Sequence, residues 1–180
     1  MFQAFGNAGQ YVDFPKNLES YFRHLSSEEA DRITITGYQE HDQLKEILPL
    51  ASVNIVGSKA SEAFGMVTLE AMAAGVFPLC NNHSGLGEAL DIIREADPEL
   101  ENMMGLDVHP GGSRGTADGA FLVEQLPGKV EEVLRFLYPN GFMDLRKRRE
   151  ISARLRKVSV SIFSWDGICK RILALREEGN

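Results

Sequence analysis

Ser58–Gly75, SKASEAFGMVTLEAMAAG, decides the reading of this chain, because it joins a loop, a helix start and two carboxylates in one short run. The preceding Val53-Asn54-Ile55-Val56-Gly57 is rich in β-branched residues and bounded by glycine, the pattern of a buried strand. From about Gly65 the pattern turns helical: Val67, Leu69, Ala71, Met72 and Ala73 are apolar, no proline intervenes, and Gly75 stands where a helix would stop. A strand, a tight loop and a helix bring the helix's first amides to the strand's carboxyl end, where open α/β sheets bind ligands. Those amides, from Gly65 to Thr68, lack partners inside the helix and carry the positive end of its dipole, so phosphate is their natural partner.

Glu62 lies in the loop and Glu70 inside the helix, eight positions apart. Carboxylates are poor partners for phosphate and good acceptors for sugar hydroxyls, which a sugar nucleotide offers on both sides of its diphosphate. Spacing alone also allows the plainer reading, a solvated loop residue and a first-turn charge on the helix dipole.

The segment resembles the E-x7-E signature of retaining, nucleotide-sugar-dependent glycosyltransferases of the GT-B fold, most closely family 4 (group 1). That motif runs E-x-F-G-x-x-x-x-E-A-x-A-x-G, and Glu62, Phe64, Gly65, Glu70, Ala71, Ala73 and Gly75 match it. Ser84-Gly85-Leu86-Gly87-Glu88 resembles the family's G-G-x-x-E turn, and Phe163-Ser164-Trp165 its aromatic-Ser-Trp segment before a last helix. The resemblance implies a Rossmann-like parallel sheet flanked by helices, the C-terminal, donor-binding half of a GT-B enzyme. It implies roles for Glu62 at the transferred sugar, as the catalytic position, and for Glu70 at the ribose. Phe64, Gly65, Met66 and Val67 would hold the diphosphate through helix-start amides, with Ser58, Ser84 and Gly85 beside them. Tyr38 and Gln39 fall where relatives pass the nucleobase, and read equally as an exposed connector. Lys59 is the nearest cation to the phosphate site, or else a solvated loop lysine. The leaving phosphate itself would take the acceptor's proton. The donor would be a nucleoside-diphosphate sugar of the UDP, GDP or ADP type, with no metal and no permanently bound cofactor. The alternative is a non-catalytic nucleotide-sugar binding or interaction module derived from the same fold.

Length and composition agree with one domain over 1–180, of which 142–180 form C-terminal helices: 180 residues, 43% hydrophobic and 25% charged. A family 4 enzyme needs a second, acceptor-binding domain, N-terminal to this one or on a partner chain. The net charge of −7 gives no general attraction for nucleic acid. Cys80 and Cys169 are too few and too distant for a disulfide framework or zinc site, and read as reduced packing residues of a cytoplasmic protein. No run approaches the length of a membrane span, so membrane contact is expected only peripherally.

Elsewhere, Met1–Gly6 reads as a strand, Gly6–Gly9 as a turn and Phe14–Ser27 as an amphipathic helix. In the family's terms the first strand resembles the second of its domain, which implies an absent central strand and self-association through exposed sheet edges. Ser26 or Ser27 is a cap for a short helix, and Ile33–Thr36 alternates like a strand. A helix is expected from about Asp42 to Ala51 and a strand over Val76–Cys80. Asn81–Gly85 reads as a turn, with Glu88 opening the next helix and His83 a weak sugar-side candidate. Asp97–Gly119 reads as an irregular surface region, with short strands at Leu106–His109 and Phe121–Val123. Helices are expected over Leu126–Leu137, Phe142–Ile162 and Ile168–Leu175, with Trp165 packed against the last. The cations of Phe142–Ile162 suit a solvated helix face or an anionic partner.

Overall fold

The computed structural model describes residues 23–34, 36, 39–57, 61–108 and 118–178. The chain forms two compact units, Met1–Leu44 and Lys45–Asn180. The expected elements at Met1–Gly6 and Gly6–Gly9, and most of Phe14–Ser27, lie outside the described residues.

In the first unit, α1 (Ser27–Ala30) begins at an N-cap Ser26 whose hydroxyl accepts from the Glu29 amide. The Glu29 carboxylate accepts from the Ser26 hydroxyl at 2.7 Å and from the Ser26 amide at 2.8 Å, which completes a capping box and holds that carboxyl below the usual range. The expected strand at Ile33–Thr36 is a correction: Ile33, Thr34 and Thr36 carry no strand, and Ile33 is exposed. A β-branched run becomes a strand only where a neighbour completes its ladder, and the described sheet takes none of these residues. Helix α2 (His41–Ile47) begins in this unit and ends in the second, where a single 3₁₀ turn, Leu48–Leu50, contains Pro49.

The second unit is built on a three-stranded parallel sheet of β1 (Val53–Val56), β2 (Phe77–Asn81) and β3 (Gly105–Leu106), in that order. Val53 pairs with Phe77 and Val56 with Cys80, and Cys80 in turn pairs with Gly105. Parallel neighbours require a crossover. Between β1 and β2 it is α3 (Met66–Ala74), closed at both ends by left-handed glycines, Gly65 at φ 69° and Gly75 at φ 76°. Between β2 and β3 it is α4 (Ser84–Ala96) and α5 (Pro98–Met104). Helices α6 (Gly119–Leu137), α7 (Leu145–Phe163) and α8 (Trp165–Glu178) follow among the described residues. The architecture is α/β, a parallel sheet flanked by helices, as a Rossmann-like GT-B half requires. Its core is the fully buried β2 with Met72, Leu86, Leu90, Ile93, Leu100, Met104, Ile151 and Leu155.

Several local expectations change. Asp97 caps α5 through the Leu100 amide with Pro98 at its first position, so 98–106, within the expected irregular region, is helix and β3. Asp118 accepts from the Ala120 and Phe121 amides and starts α6 there, which puts Phe121–Val123 in a helix instead of a strand. Pro127 lies inside α6 on its exposed side, where water can take the carbonyl it leaves unbonded. Helix α4 begins at Ser84, ahead of Glu88. Trp165 is 83% exposed at the start of α8 and does not pack the last helix, whose described side chains mostly face solvent.

The cysteines part company. Cys80 is buried in β2, and desolvation pushes its thiol up to about 12; Cys169, expected to pack, is exposed on α8. A thiol reagent should add one label to the native chain, at Cys169, and two in denaturant, counted by mass. Two labels on the native chain would contradict the burial of Cys80. Because the folded thiol ionises later than the unfolded one, its contribution is complete below about pH 9 and is lost as pH rises toward about 12.

Candidate functional site

The carboxyl ends of β1 and β2 lead into two loops that grip each other. The loop after β1 ends at Gly65 and α3; the loop after β2 ends at His83, the N-cap of α4. The Gly85 amide donates to the Glu62 carbonyl at 2.9 Å, and the Glu62 amide donates to Ser84 Oγ at 3.1 Å. The backbones are in contact: a Cβ on Gly85 would stand 2.2 Å from the Ala63 carbonyl oxygen. Gly65 is buried and faces Leu86, where a Cβ would come within 2.3 Å of Leu86 Cδ2. Its positive φ turns the chain sharply into α3.

This arrangement presents the starts of two helices together. In α3 the first intrahelical bond is made by the Thr68 amide, to Gly65 O at 2.9 Å, so the Met66 and Val67 amides precede it. The side chains of Phe64, Met66 and Val67 are exposed around that turn. Glu62 and Glu70 are both half-buried, Glu62 in the first loop and Glu70 one turn into α3. His83 is buried at the N-cap of α4, with its amide on Asn81 O at 2.9 Å. Gln39, in the first unit, is half-buried and donates its side-chain amide to the Thr36 carbonyl. Tyr38, Ser58 and Lys59 lie outside the described residues. Of the sequence-derived candidates, Glu62, Phe64, Gly65, Met66, Val67, Glu70, Ser84 and Gly85 therefore share one end of the sheet.

Helix α7 fixes that end from behind, a role the sequence did not disclose. Phe163 meets Phe64 edge-on with ring centroids 5.9 Å apart. Further along, Ser159 Oγ donates to Leu69 O, Arg156 to Ala74 O at 2.8 Å and Ser152 Oγ to Gly75 O at 2.6 Å. Numbers fall along α7 as they rise along α3, so the helices run antiparallel. The guanidinium and the hydroxyl take up carbonyls at the negative end of α3, where a cation is favoured. The aromatic residue before Ser164-Trp165 was the available signal, but its partner could not be read from it.

An α/β fold with two interlocked helix starts at one sheet end defines the class of site, and the segment that builds it is similar to a known family. Residues 15–92, which take in β1, α3, β2 and both loops, match the model for glycosyl transferases group 1. Among curated proteins, the mannosylfructose-phosphate synthase of Agrobacterium fabrum is 28% identical over 150 residues, covering 82% of this chain and 26% of that protein. The chain thus spans about a quarter of the length of the curated relative it matches. No solved structure gives a significant match.

Proposed function

We propose that this chain is the donor-binding part of a retaining, family 4 glycosyltransferase of the GT-B fold, moving a sugar from a nucleoside diphosphate to an acceptor hydroxyl. The observation that carries this reading is the clasp between the Glu62 and Ser84–Gly85 loops, inside the segment that matches glycosyl transferases group 1. In it the Met66 and Val67 amides receive the diphosphate as negative charge builds on it, a preorganised electrostatic contribution. Glu70 accepts from the ribose hydroxyls and Glu62 from the transferred sugar. Ser58 and Lys59 extend the donor contacts toward the phosphates. The acceptor is held by an N-terminal domain or partner chain, and the enzyme works in the cytoplasm.

Thermal-shift titration with UDP, GDP and ADP, each free and as its sugar conjugate, tests the reading; the relative's name makes a mannosyl conjugate the first to try. One base should stabilise the chain by about 2.7 kcal/mol at a hundredfold excess over Kd, a rise of roughly 5–10 °C for a domain of this size. Glu70→Ala removes charged hydrogen bonds worth about 1.5–3 kcal/mol, so it should raise that Kd roughly 10- to 150-fold. Silence from every nucleotide, or indifference to Glu70→Ala, would sink the assignment.

A further inference from the structure

A second surface lies at the opposite end of α3, roughly 12 Å from its first amides at the helix rise of about 1.5 Å per residue. There a groove of about 690 Å³ runs between Pro49, Ala74–Gly75 and one face of α7, from Leu145 to Val160. Its wall holds Arg148, Arg149, Arg156 and Lys157 and no carboxylate, in a chain whose net charge is −7. Two of these cations are occupied: Arg148 donates to Pro49 O and Ala51 O, and Arg156 to Ala74 O. Arg149 and Lys157 make no ion pair among the described residues. Like charges gathered on one helix face repel, and an anion beside them would relieve that repulsion.

The rim distinguishes a surface from a soluble anion. Met143 is 96% exposed and Leu50 79%, with Phe142 and Leu145 also open to solvent. They adjoin groove-lining residues in sequence: Leu50 follows Pro49, and Phe142 and Met143 precede Leu145; Phe142 lies 4.7 Å from the ring of Tyr138, whose hydroxyl is 2.7 Å from Ser52 Oγ, two residues from Leu50. A dissolved phosphate gains nothing from such side chains. An interface that offers headgroup phosphates above acyl chains satisfies both the cations and the apolar rim.

We propose that this groove and its rim dock the protein on a membrane surface carrying anionic phospholipids, with phosphate headgroups at Arg149 and Lys157 and with Leu50 and Met143 entering the interface. This goes beyond the proposed transferase activity and does not depend on it. The test is flotation of the 180-residue chain with vesicles of phosphatidylcholine alone or mixed with phosphatidylglycerol. Binding is expected to the mixed vesicles alone. R149Q/K157Q should weaken it roughly 30-fold, about fivefold for each cation. M143S should weaken it roughly tenfold, as expected for an inserted apolar side chain. K170Q/R171Q, an equal charge change on α8, should leave it within about twofold, since neither side chain lines the groove. All these side chains are exposed, and an unchanged melting temperature confirms that each variant folds. No binding to mixed vesicles overturns the proposal, and so does equal loss in the α8 control. Retained binding in M143S, with competition by dissolved pyrophosphate, also overturns it and leaves a soluble phosphate ligand in the groove.

Discussion

Gly85→Ala should lower the stability of the chain by about 3 kcal/mol, at the upper end of what an overpacked methyl costs, and its melting temperature by roughly 6–12 °C. The added Cβ would meet the Ala63 carbonyl oxygen at 2.2 Å, its carbon at 2.4 Å and the Glu62 oxygen at 2.7 Å. These are backbone atoms, so no rotamer change relieves the clash. The loops must separate, which breaks the Gly85 amide bond to Glu62 and pulls Ser84 Oγ away from the Glu62 amide. Any nucleotide-dependent shift should disappear together with the stability, because the same atoms set the position of Gly65 and the start of α3. Gly128→Ala is the matching control. It lies within α6 with nothing inside 4 Å of its would-be Cβ, so alanine should stabilise by roughly 0.5–1 kcal/mol through helix propensity. Similar melting temperatures for the two variants would show that the loops are not in backbone contact.

That clasp explains why the sequence disclosed the site's parts more readily than their assembly. Gly65 and Gly75 bound α3 as read, because left-handed caps depend on one residue and its neighbours. Ser26 was legible as a cap for the same reason. Glu62 and Ser84, by contrast, are joined across 22 residues by a hydrogen bond that no periodicity encodes. The Phe64–Phe163 contact spans most of the domain. Even where a local pattern is strong, tertiary partners decide: the alternating Ile33–Thr36 forms no strand in the described residues, and Phe121–Val123 is taken into α6 by the Asp118 cap. Trp165 and Cys169 show the same limit from the other side. Both are residue types that favour burial, yet α8 leaves them on its surface.

Asp97→Ala should cost about 2–4 kcal/mol, because one carboxylate closes two structures. It caps α5 through the Leu100 amide at 3.2 Å, and it takes Arg154 of α7 in a forked pair, Nη2 to Oδ1 at 2.7 Å and Nε to Oδ2 at 3.1 Å. Its side chain is only 15% exposed, so the pair is more protected from solvent than an ordinary surface bridge. A lost cap costs about 1 kcal/mol and a charged hydrogen bond about 1.5–3 kcal/mol. The lower part of that range reflects the partner that Arg154 keeps, Glu99 at 2.8 Å. Asp97→Asn separates the two contributions: asparagine caps as well as aspartate, so only the charged pair is lost and more than half of the destabilisation should remain. In a double-mutant cycle with Arg154→Met, Asp97→Ala should retain the cap cost of about 1 kcal/mol and lose the rest. Additive effects would mean that α5 and α7 are stabilised separately. Strong coupling would make Asp97 the joint that ties the α4–α5 corner to the helix bracing the back of α3, and so to the clasp in front of it.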